Sequence, residues 1–383
     1  MKKLAAALLA ATLLALPVQA AEAPPSTTGA PTVDAAGAVL MEKETGTVLY
    51  EQNAHDKLEP ASVTKVMTLL LVMEAIDSGN LSRDDLVTVS AYAASMGGSQ
   101  VYLKEGEQMT VNDLLKAVAV ASGNDASVAL AEHLCGSEEA FVAKMNERAA
   151  QLGMEDTCFV NCTGLPAAGH LTSAYDIALM SRELILNHPS IRDYTTIWMD
   201  TLRDGQFQLA NTNKLIRFYE GATGLKTGST DAAGYCLSAT AERDGMELIA
   251  VILKSSTKDT RTAAAQTLLN YGFANYTLMD VYPSQALPPV SVLLGHSETV
   301  QPVLAQPTRI LVSRSMVNQV ETQLELCEDV EAPVEQGQTL GKMTVTAGDQ
   351  VLAQIPIVAD QAVERLSAPG IFLRLMRTLL MAG

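Results

Sequence analysis

The alternation of apolar and polar positions divides the chain into a mixed half and a strand-rich half. GAVLMEKETGTVLYEQ reads as two strands around the turn Glu44-Thr45-Gly46. VTKVMTLLLVMEAI, Val63 to Ile76, is a continuous helical stretch that follows Pro60, Ala61 and Ser62. VNDLLKAVAVA and DASVALAEHL read as two helices separated by a break at Ser122-Gly123-Asn124. Thr110-Val111-Asn112-Asp113 resembles a capping box with Asp in the usual Glu place, and Ser173-x-x-Asp176 marks another helix start. A helix from about Glu138 to Leu152 stops at Gly153. The strands YCLSATA and MELIAVIL are joined through Asp244-Gly245, a strong hairpin signal, and a last helix runs from about Thr257 to Phe273. Together these elements predict an α+β fold in which helices cover an antiparallel sheet.

After Asn275 the pattern changes to short β-rich runs broken by Gly, Pro and Asp, which predicts a separate small all-β domain over 276–360. Its sequence shows no cluster of acids, thiols or histidines with catalytic spacing. The tail, within 361–383, is amphipathic: Arg374, Arg377 and Thr378 fall on one side of a helical wheel, and Ile371, Phe372, Leu375, Met376, Leu379 and Leu380 on the other. Such a helix lies in a membrane interface and is too short to span a bilayer. A core-packing or dimerising helix is the competing reading. At the other end, Lys2 and Lys3, an apolar run and Val18-Gln19-Ala20 form a secretory signal peptide over 1–20. A Pro, Ser and Thr rich leader over 21–34 then precedes a domain of 35–275. The expected location is therefore outside the cytoplasm, at the membrane face.

Three short motifs bring in chemistry: Ser62-Val63-Thr64-Lys65, Ser122-Gly123-Asn124 and Lys226-Thr227-Gly228, in that order. Ser62 falls at a helix N-terminus, where unpaired N–H groups and the positive end of the dipole favour a developing oxyanion. Lys65 shares its helix face and can take the Ser62 proton if burial and a second cation lower its pKa. Lys226 is the candidate for that cation. Gly228 is expected to leave room for a ligand lying along the strand edge, with Thr227 and Ser229 offering hydroxyls to a carboxylate. Ser122 and Asn124 also admit a plainer reading as cap and turn residues.

With these residues in place, the chain resembles the low-molecular-mass penicillin-binding proteins of the D-alanyl-D-alanine carboxypeptidase family, from about Ala35 to the C-terminus. The resemblance extends beyond the motifs to SMGGSQVYLKEGEQMTVNDLLKAVAVASGNDASVALAEH and KTGSTDAAGYCLSATAERDGMELIAVIL. It implies a β-lactamase/transpeptidase-like catalytic fold and acylation of Ser62 by a peptidoglycan stem peptide ending in D-Ala-D-Ala, with β-lactams as covalent inhibitors. It further implies Lys65 as general base and Ser122 as proton relay to the leaving amine, with Lys226 beside it. Asn124 would orient the substrate amide, and the Ser62 and Ser229 N–H groups would form the oxyanion hole. Arg261 resembles an arginine that some members use for the substrate carboxylate; a solvated charge near a helix start is its alternative. Position 229 is Ser where some relatives carry His. The β domain would lift the catalytic domain from the membrane.

Composition narrows the alternatives. A formal charge of −17 argues against a nucleic-acid partner. Cys135, Cys158, Cys162, Cys236 and Cys327 lack C-x-x-C spacing, so neither zinc nor any other cofactor is expected. Cys158 and Cys162 are either a local disulfide or free thiols. His133 and His170 suit core or turn roles, since Ser62, Lys65 and Lys226 need no histidine base. A β-lactamase would require a water-activating Glu, for which Glu155 is the nearest candidate, in an unsuitable context. An endopeptidase acting on cross-links uses the same machinery, and a silent wall-binding scaffold would need none of it.

Overall fold

The computed structural model describes residues 29–306 and 308–381. The expected signal peptide and most of the leader lie outside these residues.

A five-stranded antiparallel sheet forms the centre of the first part, in the order Val48–Gln52, Gly37–Glu42, Met246–Ser255, Gly234–Arg243, Ala222–Thr230. The strand Met246–Ser255 reads as almost unbroken hydrophobicity because both of its faces are covered. Ile249, Val251 and Leu253 join a core shared with the helices Lys65–Asp77, Val111–Ala121, Asn124–Cys135 and Ala174–Asn187. Leu248, Ala250 and Ile252 point the other way, against the helix Lys258–Asn275. Side chains that alternate across a strand account for this division.

Local signals place the element ends. Asp244 and Gly245 both have positive φ, 51° and 76°, as a two-residue primed hairpin turn requires. Thr110 accepts from Asp113 N at 3.1 Å and Ser173 from Asp176 N at 3.1 Å, so both act as N-caps. Thr257 and Thr260 form a reciprocal capping box at the start of the last helix of this part.

At Asn275 the helix gives way directly to the strand Tyr276–Asp280, which pairs with Arg309–Ser313. Arg314 ties this junction by donating to Phe273 O at 2.9 Å. Beyond it lie a four-stranded sheet ordered Pro302–Leu304, Gln350–Ala359, Thr339–Ala347, Val320–Leu326 and a smaller three-stranded sheet. These have their own small cores, one around Met343, Val345 and Ile357, another around Val290, Leu340 and Val363. The chain ends in the helix Ala368–Met381, on which Phe372, Leu373, Leu375 and Leu380 are exposed. Arg374 faces the β part, donating to Gly295 O at 2.9 Å. No helix among the described residues is long and apolar enough to cross a membrane.

Glu247 anchors the far end of the sheet. Its fully buried carboxylate takes Lys43 at 3.1 Å, the Arg192 guanidinium, and the Thr223 hydroxyl at 2.7 Å. Removing one member of a buried ion pair leaves the other uncompensated. Glu247→Ala should therefore cost stability toward the lower end of about 3–5 kcal/mol, since Arg192 retains Glu242. A urea melt reads this directly, and an unchanged midpoint would contradict the anchoring role.

Candidate functional site

The chain reaches Ser62 through Ala61, whose φ is +47°, and a 3-10 turn, Ala61–Thr64, precedes the helix Lys65–Asp77. The helix expected from Val63 is thus replaced at its start by a tighter turn. In such a turn side chains three apart eclipse one another. Ser62 and Lys65 therefore stand together, with Lys65 Nζ 3.1 Å from Ser62 Oγ.

Lys65 is wholly buried and makes two further bonds, to Asn124 Oδ1 at 2.6 Å and to Thr163 O at 2.7 Å. Burial pushes its amine down to about 7, with the nearby Asp125 carboxylate pulling the other way. All three bonded partners are neutral, so none of them holds a proton on the amine by charge.

Asn124 has a different first task from the substrate orientation expected of it. Its Oδ1 holds Lys65, and its Nδ2 donates to Gly97 O at 2.7 Å. One amide hydrogen and one lone pair remain for a ligand. The loop that it grips is fixed from below by Asp125, which accepts from Val101 N and Leu103 N.

Ser122 is not an N-cap. It ends the helix Val111–Ala121 in the left-handed region, φ +64°, and its buried Oγ has no hydrogen-bond partner among the described residues. A buried hydroxyl without a partner costs about 1–3 kcal/mol.

Lys226, Thr227, Gly228 and Ser229 lie on Ala222–Thr230, which pairs with a strand on one side only; its other edge takes no strand among the described residues, while Thr195 and Asn213 donate to Thr223 O and Gly224 O early in the strand. Lys226 is buried and donates to Thr227 O at 2.9 Å. Burial, then the charges of Lys65 and Arg261, hold its amine well below the usual lysine range. Thr227 bonds to Thr212 Oγ1 at 2.7 Å, and Ser229 is exposed. The reason given for Gly228 needs correction. A Cβ there would meet Ser62 N at 2.8 Å and Val63 N at 2.9 Å, so its bareness seats the strand against the nucleophile turn rather than making room for a ligand.

Arg261 is not a solvated charge. It is buried, with Nη1 3.4 Å from Cys236 O and a buried Nε without a partner among the described residues. It faces no carboxylate in any described ion pair, which leaves it able to serve an incoming anion.

The five cysteines are free, so Cys158 and Cys162 form no disulfide; Cys162 is buried and Cys158 exposed. His170 is buried, and burial pushes it down to about 4; His133 is exposed. Glu155 is exposed and makes no bond to Ser62 or Lys65 among those described. Glu74, Glu183 and His188 cluster elsewhere, but Arg148 already occupies both carboxylates, at 2.6 and 2.5 Å. Sequence reasoning missed Thr163 and Thr212. No residue-type signal marks a backbone carbonyl, whereas an acid directly after Asn124 could have pointed to Asp125.

Two family models match the chain: D-alanyl-D-alanine carboxypeptidase over residues 24–257, and the C-terminal domain of penicillin-binding protein 5 over 278–365. The D-alanyl-D-alanine carboxypeptidase DacF of Bacillus subtilis is 43% identical over 337 residues, covering 87% of this chain and 86% of that protein. DacC of Escherichia coli, of the same name, is 33% identical over 88% of this chain and 86% of its own length. The crystal structure of penicillin binding protein 5 from Haemophilus influenzae superposes with a TM-score of 0.81 at 29% identity, covering 88% of this chain and all of that one.

A neutral Lys65 is the form able to accept the Ser62 proton. Acylation of Ser62 should therefore fall about tenfold per pH unit below about 7 and level off above it. Mass spectrometry of the adduct with time gives the rate, and a profile flat from pH 5 to 8 would remove Lys65 as the base.

Proposed function

On the premise that this chain belongs to the D-alanyl-D-alanine carboxypeptidase family, we propose that it removes the terminal D-Ala of peptidoglycan stem peptides through an acyl-enzyme on Ser62. The chain is a serine-type carboxypeptidase in the same sense as its family. The observation that carries the reading is Lys65 Nζ at 3.1 Å from Ser62 Oγ, with no carboxylate hydrogen-bonded to that amine among the described residues.

Lys65 takes the Ser62 proton as Oγ attacks the carbonyl carbon between the two D-Ala residues. The resulting oxyanion is held by the N–H groups of Ser62 and Ser229, aimed from the nucleophile turn and the strand edge. Ser122, whose hydroxyl is free to rotate, relays to the leaving nitrogen the proton that Lys65 took from Ser62, with Lys226 beside it, so Lys65 is neutral again. The amide bond breaks and D-Ala departs. Water then attacks the ester, its proton returns through Lys65, and Ser62 is restored. The peptide backbone lies along the open edge of Ala222–Thr230 as an added strand. Thr227, Ser229 and the unpaired cation Arg261 serve the terminal carboxylate. A β-lactam follows the same first step and stays as the ester, which fits the family's place among penicillin-binding proteins.

The protein acts at the outer face of the cytoplasmic membrane. The signal peptide read over 1–20 supports export, and the helix Ala368–Met381 supports attachment. Its exposed Phe372, Leu373, Leu375 and Leu380 belong to none of the cores formed by the described residues.

Purified protein incubated with a pentapeptide ending in D-Ala-D-Ala should release D-Ala, and Ser62→Ala should release none and take no penicillin label. Stoichiometric labelling of Ser62→Ala would overturn the nucleophile assignment. A cross-linked muropeptide in parallel separates endopeptidase from carboxypeptidase action, and rapid penicillin turnover would favour a lactamase. For the tail, the full chain should partition into anionic lipid vesicles and a chain ended after Leu366 should not; equal partitioning would remove the anchor.

A further inference from the structure

Thr64 and His170 have no part in the chemistry proposed for Ser62, yet they are tied to its backbone. His170 lies 106 positions from Thr64, and its Nε2 is 2.8 Å from Thr64 Oγ1. The tautomer follows from the other nitrogen: Val160 N donates to Nδ1 at 3.0 Å, so the proton of the neutral ring is on Nε2. Thr64 Oγ1 therefore accepts from His170, and it donates its own hydrogen to Ala61 O at 2.8 Å. Both side chains are buried, and the ring stays neutral across the neutral pH range.

The carbonyl of Ala61 and the N–H of Ser62 are two ends of one planar trans peptide unit. They point in opposite directions, so pinning the carbonyl aims the N–H. Ala61 sits at φ +47°, which an alanine holds only when its surroundings enforce it. Gly164 closes the same peptide from another side: a Cβ there would lie 1.9 Å from Ala61 O and 2.9 Å from Ser62 N.

The geometry points to Thr64 and His170 as positioning residues that aim and polarise the Ser62 N–H toward the oxyanion, through the chain Val160 N–H to His170 to Thr64 to the Ala61 carbonyl. Linked hydrogen bonds strengthen one another, by about 10–30% per bond in condensed-phase estimates. A peptide whose carbonyl accepts such a bond is the better donor at its nitrogen. The assignment rests on the acyl-enzyme reading given above and goes beyond it, because it names what orients one half of the oxyanion hole.

The test uses the full chain as wild type, Thr64→Val, Thr64→Ser and His170→Gln, with the benzylpenicillin acylation rate measured per active site titrated. Deleting an oxyanion-hole donor outright costs about 10²–10³ in rate. Misaiming one in Thr64→Val should cost about 10- to 100-fold in acylation rate, with the preceding binding step little changed. Thr64→Ser and His170→Gln, which keep a donor at the same place, should stay within about threefold. The infrared band of the penicilloyl ester carbonyl should move to higher frequency in Thr64→Val and return in Thr64→Ser, a shift that loss of packing alone would not produce. Wild-type acylation rate or an unmoved ester band in Thr64→Val overturns the assignment. If Thr64→Val does not fold, His170→Leu, which takes that donor from Thr64, replaces it: a lowered acylation rate with a raised ester band supports the assignment, and a wild-type rate or an unmoved band overturns it. Failure of the wild type to be acylated would count against the proposed function instead.

Discussion

An amine buried without a counter-ion bonded to it is the constraint around which this site is built. Lys65 reaches no water, and desolvation of a cation that deep works against its charged form. Three neutral groups surround it: the hydroxyl of Ser62 one turn back, and from distant segments the amide of Asn124 and the carbonyl of Thr163. Burial keeps the amine available as a base near neutrality, and the three contacts fix its position. Arg261, also buried, is paired to no acid in the described contacts. It gives the site a positive charge, as suits a substrate that ends in a carboxylate.

The surrounding elements serve this arrangement. The 3-10 turn stacks Ser62 on Lys65, and bare Gly228 lets the edge strand close on that turn. The helix Val111–Ala121 ends at Ser122 in the left-handed region, and the next helix begins with Asn124 buried and bonded to Lys65. Two-sided burial of the sheet makes the platform stiff, because a strand packed on both faces has little room to shift.

Much of the fold was legible because its signals are local. Asp244-Gly245 prescribes a turn by backbone chirality, Thr257 and Ser173 mark helix starts by hydrogen bonding within three residues, and MELIAVIL announces a strand with no wet face. The three motifs pointed to Ser62, Lys65, Ser122, Asn124 and Lys226; hydrogen bonds join Lys65 to Ser62 and Asn124, and Lys226 is near enough to feel the charge of Lys65. What the sequence did not disclose depends on long-range packing. The carbonyl of Thr163 meets a lysine 98 positions away, and no residue-type preference records that encounter. The depth of Arg261 was equally hidden, since a helix's first turn can face water or sheet with the same composition. Gly228 was recognised as a place needing space, but its neighbour was mistaken, because a strand pattern says which side a residue faces and not what lies there.

The open edge of Ala222–Thr230 carries a further consequence. A strand able to accept a peptide partner is also able to accept another strand of its own kind, the usual route from an exposed sheet edge to aggregation. Here the accessible end is Ser229 and Thr230, short, polar and poor in side-chain grip. At the opposite edge, Val48–Gln52 places the exposed charge of Glu51 outward. The small polar residues proposed to meet the substrate thus offer self-association few of the hydrophobic contacts it needs.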